Sequence, residues 1–431
     1  MDEALSAVAP GFAGHRVVRQ PPLWDEADPE RYTYALYDAE LDVEQLLRFF
    51  EVARSLSLVN PRPIPRSLLD ASAAYHPAFF RAMTGGTRSV NDAPGQLLHL
   101  RSRIFLAGCT LSAAIVQLRY SAATIRSKLR HLWIGCKNAR IAGLDVDAER
   151  LERMIIGVAT DPADDVTRLI ALKDLYHEAL RALFRNEPSV PASRLDDAAL
   201  TPHERERFGF VPQLQTILGT DLRALVVYGS SVSSESFADY DVIAVVGDTH
   251  RALRMLSGSN LAYGCKPLNL AVYDAEGFRL YQLACGDNMD SNARCAYGEV
   301  SIVLKPHDAL SARNFSFGYL RMRQLLGMAA HLAQSESTAL DDRAELFEYF
   351  VKVPMHIYKG IAAVAGEPVH KERLRALLVE RWDYDLERQR RAVAEGEAVS
   401  AMCRAFLATA AVLKDLGRMP HKSTCPVFPS K

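Results

Sequence analysis

The chain has 431 residues, 49% hydrophobic and 24% charged, with a formal net charge of −1. That length is too great for a single hydrophobic core, so two or three domains are expected. The balanced charge excludes a global field that would draw the chain onto long nucleic acid or anionic lipid. Seven scattered cysteines, with no CxxC pair and no zinc-like Cys/His spacing, argue against a disulfide framework or metal knuckle and for a reducing, cytoplasmic compartment. The first ten residues begin acidic and carry no long apolar run, so no signal peptide is expected. The apolar stretch around Ile104 to Val116 is too short to span a bilayer, so no membrane partner is expected.

In chain order, residues 1 to about 40 carry Pro21-Pro22 and Asp28-Pro29 and read as an irregular lead-in. Val43, Leu46, Leu47 and Phe50 then fall at i, i+3, i+4 and i+7, which predicts a helix with Asp42 as its N-cap. A loop with short helical pieces is expected from Asn60 to Pro94. Long amphipathic helical segments should follow, from about Gly95 to Cys136 and from Val166 to Phe184. A Pro-, Ser- and Asp-rich stretch at 186–202 marks a candidate boundary. Beyond it come short β-branched runs at Leu222 to Tyr228, Asp241 to Val246, Leu268 to Tyr273 and Val300 to Leu304. Helical patterning returns near 317–334, 343–363, 371–380 and 385–416, and the tail from Pro420 reads as extended. The expected organisation is a mostly helical N-terminal domain over 1–200, an α/β domain over 201–310, a helical C-terminal domain over 311–420 and a tail over 421–431.

The densest chemistry lies in the α/β stretch. A strand ending at Gly229, where a missing side chain lets a phosphate approach the backbone, leads into Ser230 and Ser231. If those serines open a helix, its free N–H groups favour an anion there. Asp239 and Asp241 follow, two apart at the mouth of the next strand, so their carboxylates project from one face. Ile243 and Val245 continue that face as core, while Tyr240, Val242, Ala244 and Val246 occupy the other. Two such aspartates repel unless a cation bridges them, a need that Mg²⁺ with substrate phosphates would meet. A pair of ions could then clamp the attacking and leaving oxygens of a displacement at phosphorus.

Strand, Gly229-Ser230, short helix and Asp239-Tyr240-Asp241 together resemble the signature of nucleotidyltransferases of the DNA polymerase β superfamily. The wording is most similar to their small bacterial, antibiotic- and toxin-associated branch. The resemblance covers roughly residues 205–310. It implies a mixed-sheet α/β (α+β) nucleotidyltransferase core between helical domains, with Gly229, Ser230 and Ser231 holding phosphates and Asp239 and Asp241 binding Mg²⁺ or Mn²⁺. It further implies transfer of a nucleoside monophosphate from an NTP, ATP first, to a hydroxyl, with release of pyrophosphate. Near-neutral charge favours a small-molecule or protein acceptor over long nucleic acid. The resemblance also offers Lys352 and Lys359, near Tyr349 and Tyr358, as triphosphate contacts, although solvated lysines are the commoner occurrence.

Two departures qualify the pattern. The spacing from Ser230 to Asp239 is short, which allows a helix of about two turns. The family's third carboxylate, on a later strand, corresponds to Asn269 in Leu268-Asn269-Leu270, while Asp274 points to the opposite face and reads as a helix N-cap. Losing a general base would slow transfer by about 10²–10⁴ without preventing nucleotide binding. A retired fold that binds nucleotide or acts as a scaffold is therefore one alternative, and an RNA-modifying, toxin-like enzyme with a basic groove leading to Asp239 is another. Weaker signals read as ordinary surface. Arg126 to His131 is distantly similar to the RNase motif of HEPN domains but fits a solvated helix face, and Thr84 to Arg88 fits a plain loop. Lys371 to Arg391 mixes both charges and fits an exposed, salt-bridged helix surface, and His356 is expected to fill a partly buried face.

Overall fold

The computed structural model describes residues 12–20, 30–37, 41–58, 61–71, 93–117, 128–129, 131–135, 148–160, 165–185, 187, 189–287, 289–334, 350–365 and 371–418. Among them the chain is mixed α/β. The lead-in contains two strands, β1 (Phe12–Gln20) and β2 (Glu30–Tyr37), paired antiparallel. Helix α1 (Val43–Ser55) follows, with the expected cap at Asp42, whose carboxylate accepts from the Gln45 N–H at 2.8 Å while the Gln45 side chain accepts from the Asp42 N–H at 2.9 Å. Strand β3 (Pro61–Pro65) adds parallel to β2, and α2 (Arg66–Ala71) closes this part. The sequence did not signal these strands, because charged and polar residues interrupt β1 and β2 and prolines fill β3. Residues 72–92 and the tail beyond 418 lie outside the described residues, and so do Thr84 to Arg88 and Arg126.

Helices α3 (Ala93–Gly108), α4 (Leu111–Gln117), α5 (Ala148–Thr160) and α6 (Asp165–Phe184) come next. The chain then builds a six-stranded mixed sheet from β4 (Ala192–Asp196), β5 (Leu222–Tyr228), β6 (Tyr240–Val246), β7 (Ala262–Tyr263), β8 (Lys266–Tyr273) and β9 (Ala293–Val303), in the order β4-β9-β5-β6-β8-β7. Strands β5 and β6 are antiparallel neighbours, and β6 pairs parallel with β8. That parallel step needs a crossover. It is supplied by α7 (Thr249–Leu256), which Asp248 caps by accepting from the Arg251 N–H at 3.0 Å. Beyond β8, α8 (Ala275–Ala284) starts on Asp274, which accepts from the Gly277 N–H at 2.6 Å as its N-cap.

The C-terminal part is helical: α9 (His307–Gln334), α10 (Val353–Ala365), α11 (Lys371–Trp382), α12 (Leu386–Ala394) and α13 (Ala398–Arg418). The single helix expected over 385–416 is broken at Gly396, whose φ of +89° lets its N–H reach Val393 O while the Glu397 N–H reaches Ala392 O. That is a Schellman stop, and the glycine supplies the left-handed residue it needs. On α11 and α12 the mixed charges do pair at the surface, as in Arg375 with Glu387 and Arg373 with Glu380.

The cores do not follow the boundary read at 186–202. One core joins the sheet to Leu100, Ile104, Ile115, Leu169, Leu172 and Tyr176 of the preceding helices. The other joins Leu46, Phe49, Phe50 and Leu68, from near the N-terminus, to Phe315, Tyr319, Ile357, Leu378 and Phe406 of the C-terminal helices. The first 200 residues are thus shared between two cores, since burial follows contact and not position along the chain. Among the described residues no helix is long and apolar enough to cross a membrane.

Candidate functional site

Strand β5 delivers the chain to Gly229 through Leu225, Val226 and Val227, all fully buried. Gly229 takes φ +79° and ψ −150°, a conformation only glycine adopts readily. A Cβ there would lie 2.8 Å from Oδ2 of Asp241, so the absent side chain also makes room for that carboxylate. The helix after it, Ser230–Ser233, is a single turn, shorter than the two turns that the spacing allowed. Ser230 faces the cleft described below. Ser231 does not: it is completely buried, and its hydroxyl donates to Tyr228 O at 3.3 Å, so its side chain serves the turn and not a phosphate.

The segment from Ser231 to Asp239 is held by the nearly buried Arg207, which donates to Ser231 O at 3.2 Å and Ser234 O at 3.3 Å and pairs with Glu235. Phe237 stacks edge-on against Tyr240 at 4.9 Å, with the Lys266 ammonium 3.3 Å from its ring centre. These contacts deliver Asp239 to the mouth of β6 one residue before the strand begins. Asp241 lies directly opposite Asn269 in the parallel β6–β8 register. The Asn269 amide donates from Nδ2 to Asp239 Oδ2 at 2.6 Å and to Asp241 Oδ1 at 3.4 Å. Its own oxygen is taken by Gln117 of α4, whose Nε2 donates at 3.0 Å. Carboxylates only accept, so this is the amide orientation they require. An Asn269 oxygen turned toward the cleft is therefore not what the side chain adopts.

Burial and then the neighbouring Asp239 charge push Asp241 up to about 6, against the hydrogen bond from Asn269 and the more distant Lys359. The Asn269 amide and Lys359 offset the pair only in part, since burial and the like charge still hold Asp241 above its ordinary value. The cleft they face holds about 200 Å³ and is walled on one side by Gly229, Ser230 and Ser233. Its other wall is the second core, through Lys352, His356 and Lys359. Lys359 bonds Asp287 Oδ1 at 2.6 Å. Burial alone would lower Lys359, but Asp287 and then Asp241 hold it above its ordinary value. Lys359 in turn is the main reason that Asp287 stays well below the usual carboxylate range. His356 is open to solvent in the cleft and does not fill a buried face. Its enclosure between the walls, then Arg321 and Lys359, lower it to about 4, so it is neutral at pH 7.

No family model, curated protein or solved structure matches the chain. The site therefore stands on its own geometry. That geometry brings Gly229, Ser230, Asp239, Asp241, Lys352 and Lys359 to one cleft, with Asn269 behind the two aspartates. Gln117, Asp287 and His356 complete the surroundings. Gln117 and Asp287 carried no local signal, because each meets the site only through tertiary contact. Among the described residues no group of three or more His, Cys, Asp or Glu side chains is arranged to hold a metal. A cation here would rest on the two aspartates plus ligands from a substrate.

Proposed function

We propose that the protein is a metal-dependent nucleotidyltransferase with a polymerase β-like core, moving a nucleoside monophosphate, AMP first, from an NTP to a hydroxyl of a small molecule or protein. One observation carries the reading. Asp239 and Asp241 converge on one cleft with the side-chain-free Gly229 and the ammonium groups of Lys352 and Lys359. The part-buried, only partly compensated pair fits a divalent cation, since Mg²⁺ is commonly held by one or two carboxylates plus substrate phosphates. Mg²⁺ bound there would neutralise charge developing on the transferring phosphoryl group.

The protein's own residues then have definable work. Gly229 leaves the backbone open to phosphate oxygens, and the Ser230 hydroxyl stands beside it. Lys352 and Lys359 offset triphosphate charge from the opposite wall. A cleft of this size suits the phosphates, with base and sugar extending through its open mouth. The acceptor hydroxyl attacks the α-phosphorus and releases its proton to solvent, the bond from that phosphorus to the bridging oxygen breaks, and pyrophosphate leaves. A second reading, nucleotide binding without transfer, is favoured by Asn269, because an amide that donates to both aspartates cannot take the proton from an acceptor.

The test is to incubate the protein with Mg²⁺ and each labelled NTP, following pyrophosphate release and thermal stabilisation. Stabilisation by NTP that is lost in Asp239→Ala and Asp241→Ala, with pyrophosphate release, supports transfer. Stabilisation without release supports binding alone. Equal stabilisation of wild type and both variants overturns the site.

A further inference from the structure

Gln117 sits at the end of α4, 152 positions from Asn269 in the chain, yet its side chain is the partner of the Asn269 oxygen. Three contacts fix it there. Ser112, buried at the start of α4, donates to Val272 O of β8 at 3.3 Å. Val116 O, in the last turn, accepts from the Gly258 N–H at 3.0 Å. The third is the amide pair itself. Helix α4 is thus pinned along the strand that carries Asn269.

An Asn side chain offers two donors on one side and an acceptor on the other, and so does Gln. With no cation present, Asn269 must turn its NH₂ to the two carboxylates, and Gln117 must then present its own NH₂ to the Asn269 oxygen. A divalent cation between Asp239 and Asp241 reverses the demand, because an amide nitrogen does not ligate it and an amide oxygen does. Turning Asn269 over would set its NH₂ against the Gln117 NH₂, donor against donor, unless Gln117 turns as well. Gln117 is free to do so: its Oε1 has no partner among the described residues, and once turned it accepts from Asn269.

Resting on the reading of Asp239 and Asp241 as cation ligands, we propose that Gln117 and Asn269 form a coupled amide switch that delivers the Asn269 oxygen as a third ligand when a cation binds. Gln117 is the positioning residue, and its amide, which both donates and accepts, satisfies Asn269 in both orientations. A residue that only accepts holds Asn269 oxygen-inward, and one that only donates holds it nitrogen-inward.

Mn²⁺ alone, titrated into the full chain and followed by electron paramagnetic resonance, reads the switch without turnover. Gln117→Glu should bind Mn²⁺ about tenfold more tightly than wild type and Gln117→Lys about tenfold more weakly, the worth of one charge-assisted hydrogen bond. Gln117→Met, neutral in both orientations, should stay within about threefold. The new charges also act through space, so each change is repeated in an Asn269→Ala background, where most of both shifts should vanish. Shifts of the same size in that background, or none in either, overturn the switch while leaving the dyad intact. Should Gln117→Lys fail to fold, Gln117→Glu with and without Asn269→Ala decides alone. Wild-type Mn²⁺ binding that survives Asp241→Asn, or no Mn²⁺ binding even with a non-hydrolysable NTP analogue present, overturns the reading of the dyad and the switch with it.

Discussion

The Asn269 amide divides its two N–H bonds between two carboxylates, closely to Asp239 and loosely to Asp241, so Asp241 is the less satisfied of the pair. Replacing it by a neutral isostere removes a buried like-charge contact. Asp241→Asn should therefore raise the stability of the cation-free protein by about 1–2 kcal/mol, as relief of active-site strain commonly does, while abolishing any thermal shift with Mg²⁺ and NTP. Urea melts with and without Mg²⁺-NTP check both halves. Gly229→Ala acts oppositely: a positive φ costs a non-glycine residue about 1–2 kcal/mol, and the new Cβ presses on the Asp241 carboxylate. The same melts should show lower stability and a weaker response to Mg²⁺-NTP. Gly229, Ser230, Asp239 and Asp241 were legible in the sequence because they share one short strand–turn–strand unit, and strand parity then picked out Asn269 over Asp274. The buried Ser231 hydroxyl was not foreseen, since a one-turn helix and a two-turn helix orient the second serine differently. Gln117 was invisible because its partner lies on the other side of a tertiary contact.

At the scale of an element, α6 shows what burial does to charge. Lys173 and His177 lie one turn apart, almost fully buried, with Nζ 3.1 Å from the His177 Nε2 and 4.0 Å from the Tyr273 ring centre. Burial, then Lys173 and Arg181, lower His177 to about 2. Its imidazole stays neutral, with Nε2 free to accept from the lysine. The unfolded chain takes up a proton on this histidine below about pH 6.5 and the folded chain does not, so the group's contribution is present above that pH and is lost as pH falls. The loss is at most about 1.4 kcal/mol per pH unit. His177→Gln keeps an acceptor for Lys173 and removes the titration, so its unfolding free energy should change less than wild type's between pH 7 and pH 5. An unchanged slope would place the histidine's proton elsewhere. The amphipathic period identified this helix, but not that two of its polar side chains point inward, because a stripe of leucines hides a lysine whose partner is a ring on another element.

Across the whole molecule the chain exchanges material between its cores. Leu46, Phe49, Phe50 and Leu68 complete the C-terminal helical core, α3, α4 and α6 join the sheet in the other, and the cleft lies where the two cores meet, with the aspartates on one side and Lys352 and Lys359 on the other. Composition and β-patterning marked the sheet-bearing stretch, but they could not show which helices cover it, since that depends on which apolar stripe meets which face. The consequence is a test of what counts as a domain. A fragment of residues 201–310, cut at the boundaries the sequence suggests, would strip α3, α4 and α6 from this core and expose Tyr273 and Tyr281 to water, since Lys173 and His177 of α6 pack on Tyr273 and Phe105 of α3 packs on Tyr281. Burial of apolar area contributes about 25 cal/mol per Å², so losing the cover of three helices removes more than the few kcal/mol by which domains are stable. A fragment of residues 93–306 keeps both the sheet and the helices that share its core, and loses Lys352, Met355, His356, Lys359 and Leu374 from the cleft. The longer fragment should unfold cooperatively in urea, with an m-value fitting its length, and should still bind Mn²⁺ through Asp239 and Asp241 while binding NTP more weakly than the full chain. The shorter one should aggregate or show no cooperative transition. Cooperative folding of residues 201–310 alone would mean that the preceding helices are an accessory to the sheet and not half of its core.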